Sequence, residues 1–163
     1  MNIKDYKVLI MKHGSTNFLR LVIFVMGMGI LALCIFALPS AWKGGSAEFP
    51  TASYAVFLII IGMYATTVPF FIGLWHTLKL LSYIDQNKVF SDLSIQALRN
   101  IKRCATVIAV LYVGGVPLLF PIADADDAPG LIIVGAVIAS IPIAIAVFVS
   151  ILEKLLQSVL DKK

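Results

Sequence analysis

The residues that could do chemistry are few and scattered. The chain holds two histidines, His13 and His76, and two cysteines, Cys34 and Cys104. Haem or metal ligation would need both histidines plus further ligands, and no His/Cys/Asp/Glu cluster has ligand spacing. His76 follows Trp75 at the end of an apolar run, an ordinary place for an interfacial aromatic-polar pair. Asp124, Asp126 and Asp127 crowd the stretch "ADADDAPG", whose carboxylates would suit a hard cation. Ala128 stands where a calcium loop would place its third ligand and no glutamate follows, so a solvated acidic loop is the expectation. Nucleophile elbow, phosphate loop, HExxH and dinucleotide fingerprint are all missing. An enzyme needs polar groups converging at one depth, and none can be assembled. The sequence therefore implies neither catalysis nor a cofactor.

The elements that hold these residues are long and apolar. The 163 residues are 60% hydrophobic and 13% charged, with a mean hydropathy of +0.98. Soluble domains carry about 25% charged residues, and a deviation of this kind points to membrane spans. Crossing the hydrocarbon takes about 20 apolar residues. Four stretches qualify, at about residues 18–38, 54–78, 104–120 and 131–152. Residues 1–163 then form a single transmembrane domain. The first stretch is too long for a signal-peptide core and is read as a retained helix. Backbone groups in lipid must satisfy one another, so the fold class is all-α, an integral membrane four-helix bundle of two hairpins.

Every lysine and arginine except Lys43 precedes or opens the first span, lies between the second and third, or follows the fourth. That asymmetry predicts a multi-pass protein of the bacterial cytoplasmic membrane with both termini and the middle connection inside. The net charge of +4 forms no continuous tract, so direct nucleic-acid binding is not expected and the cations are read as membrane-edge charges. Cys34 and Cys104 fall near opposite faces and should not bridge. The stretch "PSAWKGGSAEFPTAS" reads as an exposed, turn-rich outer connection with Trp42 at the interface. Pro69, Pro117 and Pro142 should bend their helices, with Thr66, Thr67 and Ser140 placed to satisfy the freed carbonyls. Small residues at helical spacing, Gly62 with Thr66, Gly73 with Thr77, Gly135 with Ala139 and Ala136 with Ser140, permit close helix approach.

The stretch "YIDQNKVFSDLSIQALRNIKR", residues 83–103, is the polar exception inside the chain. The second apolar run continues past the membrane edge to Ile84, which makes a helix of about 45 Å against a core of about 30 Å. Its end should project from the hydrocarbon. Asn87 tolerates the left-handed conformation that ends helices. Ser91 is a suitable N-cap with Asp92 in the first turn. Phe90 and Ile95 have hydrophobic-staple spacing. Ile95 and Leu98 share an apolar stripe, and Arg99, Lys102 and Arg103 face anionic headgroups. Downstream, Leu152, Leu155, Leu156 and Val159 recur at helical spacing, with Glu153, Lys154 and Gln157 off the stripe. Its expected cover is the end of the second helix around Leu80, Leu81 and Ile84, or else Ile95 and Leu98. The alternative is a cytoplasmic protein docking helix-in-groove.

The order L-x-x-I-x-x-x-x-V-F-S from Leu81, followed by "ALRNI" before an apolar span, resembles a bacterial family of small four-span proteins known only as domain of unknown function 2975. Asn87 stands where that family is expected to have a turn glycine, and Leu93 and Ser94 where a Glu-Asn pair is expected. The resemblance implies a membrane partner of a small helix-turn-helix regulator, because such regulators are often encoded beside family members. Three roles follow. The first is a sensory or regulatory protein that docks a cytoplasmic partner through Phe90, Ser91, Ile95, Leu98, Arg99, Leu155 and Val159. The others are a small transporter or channel subunit, with a second copy of the chain as partner, and a structural accessory subunit of a membrane complex.

Overall fold

The computed structural model describes residues 2–162. Of the cations counted for orientation, Lys163 lies outside the described residues, as does the side chain of Lys12. Helix α1 runs Ile3–Ala32 and continues through a π-helical turn, Leu33–Ala37, into α2, Leu38–Glu48. Helix α3 spans Ser53–Asp85, and α4 spans Asp92–Gly115. A 3-10 turn, Val116–Leu118, joins α4 to α5, Leu119–Ala125, and α6 spans Gly130–Asp161. No strand occurs among the described residues. Four helical stretches are long and apolar enough to cross a membrane. The sequence thus identifies the fold class, and the helices exceed the apolar runs at nearly every end.

The connection after the first span is the clearest correction. Residues 39–48, expected as part of an exposed turn-rich connection, are helical, and the turn is confined to residues 49–52. The local cause is Pro39, which lacks an amide hydrogen. In the wider π register its partner would be the carbonyl of Cys34. That carbonyl instead accepts a 2.8 Å hydrogen bond from the Tyr64 hydroxyl of α3. With the freed acceptor satisfied, the helix passes the proline unbroken. At Pro69 and Pro142 the hydroxyls act near, but not on, the freed carbonyls of Ala65 and Ile138. Thr66 and Thr67 both donate to Met63 O, and Ser140 donates to Val137 O.

The turn after α3 follows the sequence closely. Asn87 has φ 55°. Lys88 N donates to Tyr83 O at 2.9 Å and Asn87 N to Ile84 O at 3.1 Å. This pair of bonds is a Schellman motif, which consumes carbonyls the helix end would leave open. A related turn ends α5, where Asp127 has φ 50° and Ala128 N donates to Ala123 O.

Packing follows chain order. Helix α1 lies on α3, α3 on α4, and α4 on α6. Among the described residues no comparable interface joins the first or second span to the fourth. The bundle is therefore a row with α3 and α4 at its centre. Gly73 brings α3 close to α4, for a Cβ there would sit 3.5 Å from the Cβ of Cys104. The inner face of α4 is built from Ile95, Ala97, Leu98, Ala105 and Ala109, and α6 meets it with Ala139, Pro142 and Val149. Since each hairpin is antiparallel, the two termini and the 83–103 turn lie at one end, called here the termini end.

Candidate functional site

Polar side chains that the chain could have left to solvent converge at the termini end. Glu153 sits on the α6 face that continues Ala139, Pro142 and Val149, and is 6% exposed. Its Oε1 accepts from Arg99 Nε at 3.0 Å and its Oε2 from Lys102 Nζ at 2.5 Å. Arg99 and Lys102 are three residues apart on α4, which puts both cations on one side of that helix. One buried carboxylate thus answers two cations, and the cluster carries a net positive charge.

A neutral pair lies beside it. Asn100 Nδ2 is 3.0 Å from His76 Nε2, and His76 Nδ1 is 2.8 Å from Ile72 O. A carbonyl oxygen only accepts, so Nδ1 carries the proton and Nε2 accepts from the amide. A third pair ties the first span to the second: Arg20 Nη2 meets Asp85 Oδ2 at 2.9 Å. The second oxygen, Asp85 Oδ1, is buried without a hydrogen bond, which offsets part of what the ion pair contributes. Each helix-helix interface of the row therefore has one polar clasp near the termini end.

The sequence-predicted residues separate into two sets. Ser91 occupies the N-cap position with φ −138° and ψ 158°. Its hydroxyl does not accept from the helix amides; it donates to Lys88 O at 2.6 Å. Ser94 donates to the same carbonyl at 3.0 Å and is completely buried. Ile95 and Leu98 are buried, and Arg99 holds Glu153. Phe90 is 57% exposed, so the expected staple onto Ile95 leaves most of its ring in the open.

Leu155 and Val159 form the second set, and the structure corrects the expectation for them. They are exposed, whereas Glu153, expected off the stripe, faces the interior. The inner face of α6 is set by the small residues that fit against α4, and Glu153 continues that line. Leu155 is rotated about 200° from Glu153 at 100° per residue. Leu152, Leu155 and Val159 therefore stay largely open, and only Leu156 of the stripe is half-buried. Sequence reasoning also missed Lys102, Asn100, His76 and Ser94. One signal was present: Glu153 is the sole acidic residue between Asp127 and Asp161, opposite two cations at helical spacing.

The site offers ion pairing, hydrogen bonding and two exposed leucine-valine turns. It holds no group of three or more His, Cys, Asp or Glu residues able to take a metal ion among the described residues. Cys34 and Cys104 are free thiols.

Comparison with known proteins is consistent with this picture. A family model described as "Protein of unknown function (DUF2975)" matches residues 40–163. The uncharacterized membrane protein YoaS of Bacillus subtilis (strain 168) is 44% identical over 153 residues, covering 94% of this chain and 96% of that protein. No solved structure matches.

Proposed function

Because the chain belongs to the DUF2975 family of membrane proteins of unknown function, we propose that it is a regulatory membrane protein that docks a cytoplasmic partner at the termini end. One observation carries this reading: the chain's own packing leaves the Leu155 and Val159 stripe open. A 32-residue α6 is about 48 Å long, against a hydrocarbon core of about 30 Å. Val159 therefore stands beyond the core, where an exposed apolar stripe calls for cover. The three clasps hold the end rigid, and a rigid helix face is a favourable anchor for a groove. Phe90 and Leu93 add exposed apolar area at the start of α4. The helix-turn-helix regulators implied by the family resemblance are the class of partner proposed.

The test replaces Leu155 and Val159 together with aspartate. The double variant should keep its melting temperature in detergent, since neither side chain is buried, and should lose a co-purifying cytoplasmic protein. Undiminished recovery of that partner would sink the docking role, and a large loss of stability would show that the stripe packs internally.

The proposed orientation places the termini end in the cytoplasm. In a background with Cys34 and Cys104 replaced, Ser46→Cys and Asp126→Cys should react with an impermeant thiol reagent on intact cells. Asn87→Cys should react only after lysis. The opposite pattern would invert the orientation and remove the cytoplasmic partner with it.

A further inference from the structure

A groove of about 250 Å³ opens between the start of α4 and the end of α6, lined by Asp92, Ile95, Gln96, Arg99, Gln157, Leu160 and Asp161. Its polar groups fall into levels. Asp92, Gln96 and Arg99 recur at four and three residues along α4, and Gln157 and Asp161 at four along α6, so each set shares a helix face. The helices are antiparallel. Arg99 is level with Glu153 through their ion pair, which puts Gln96 near Gln157 and Asp92 near Asp161. The groove thus has two carboxylates at its mouth, two amides in the middle and a guanidinium at its inner end.

These groups are unspent. Arg99 uses Nε for Glu153, and its Nη groups make no hydrogen bond among the described residues. Asp92, Gln96, Gln157 and Asp161 likewise have no hydrogen-bond or ion-pair partner there. Two unpaired carboxylates sharing a groove repel each other, and an ammonium with three donors can bridge both. At the inner end, the fixed Nε leaves the guanidinium fork aimed for a phosphate. The excess cation of the Arg99, Lys102 and Glu153 cluster favours an anion at that level and not at the mouth.

We propose that this groove binds the zwitterionic headgroup of an aminophospholipid, the phosphate on Arg99 and the primary ammonium between Asp92 and Asp161. Depth selects the lipid as the source. If α6 is centred in the bilayer, it overhangs the hydrocarbon by about 9 Å at each end. That overhang covers Leu156 to Asp161 and coincides with the headgroup layer, and Arg99, level with Glu153, stands within about one turn below it at the hydrocarbon edge. The phosphate level then lies nearest the hydrocarbon and the ammonium level nearest water, as in such a lipid. The site does not depend on a protein partner or on which end of the row faces the cytoplasm.

The experiment titrates the purified full chain in neutral detergent with short-chain phosphatidylethanolamine, phosphatidylcholine and phosphatidylglycerol of equal acyl length, and with free phosphoethanolamine. The readout is the melting temperature. Phosphatidylethanolamine should raise it most, because the choline group lacks N–H donors and glycerol lacks the charge. The Asp92→Asn/Asp161→Asn variant keeps the Arg99–Glu153 pair, and its lipid-induced shifts are read against its own lipid-free melting temperature. It should lose the preference for ethanolamine over glycerol. A preference retained in that variant, or phosphatidylglycerol equal to phosphatidylethanolamine in the parent, would overturn the proposal. Free phosphoethanolamine matching the lipid at equal concentration would overturn the lipid source in favour of a soluble zwitterion.

Discussion

Glu153→Ala should lower the melting temperature of the purified protein by an amount equivalent to about 2 kcal/mol. Truncating one partner of a buried ion pair commonly costs about 3–5 kcal/mol, because the remaining charge is stranded. Here the stranded cations are partly hydrated, with 45% of the Arg99 side chain and 33% of the Lys102 side chain exposed. Water relieves part of the penalty, which brings the figure down. Glu153→Gln should lie between alanine and the parent, since the amide oxygen still accepts one hydrogen bond while the charge is gone. The measurement is thermal unfolding of the three proteins in one detergent. An alanine variant as stable as the parent would mean that the α4–α6 clasp contributes nothing net.

Ser94→Leu should be the second severe substitution, at about 2–4 kcal/mol. Ser94 is 0% exposed, so the two methyl groups that leucine adds beyond the hydroxyl position have no free volume and must displace packed neighbours. The substitution also removes the donor to Lys88 O, held at 3.0 Å. Ser91 donates to the same carbonyl, so the acceptor is not orphaned, and the loss is mainly steric. Ser94→Ala should therefore cost only about 1 kcal/mol. A leucine variant that melts with the parent would show that the junction of α3 and α4 yields locally.

What could be read from the residues was what local physics determines. Apolar length located the four spans, and Asn87 marked the helix stop that its φ of 55° confirms. The length of α3, which runs to Asp85, followed from counting apolar residues. Rotation of α6 was not legible in the same way. An apolar stripe names the interior only where nothing else can cover it. Past the hydrocarbon a docked protein can cover it equally well, so Leu155 and Val159 did not report the packed face. Small residues such as Ala139 did, and they pointed to Glu153. The helical course of residues 39–48 was hidden for another reason. Pro39 reads as a breaker unless the Tyr64 hydroxyl, from a different helix, is known to satisfy the carbonyl of Cys34.

The serial row has a consequence for how the molecule is made. Each span packs on the span synthesised just before it. When the second helix leaves the ribosome it can close on the first through Arg20 and Asp85, with nothing later in the chain required. The third then docks on the second through the tight turn at Asn87, and the fourth brings Glu153 to cations already in place. Contacts of this local kind favour rapid assembly, and insertion from the N-terminus matches that order. A chain stopped after α3 would keep only the small α1–α3 interface, whereas one begun at α3 would retain the centre of the row.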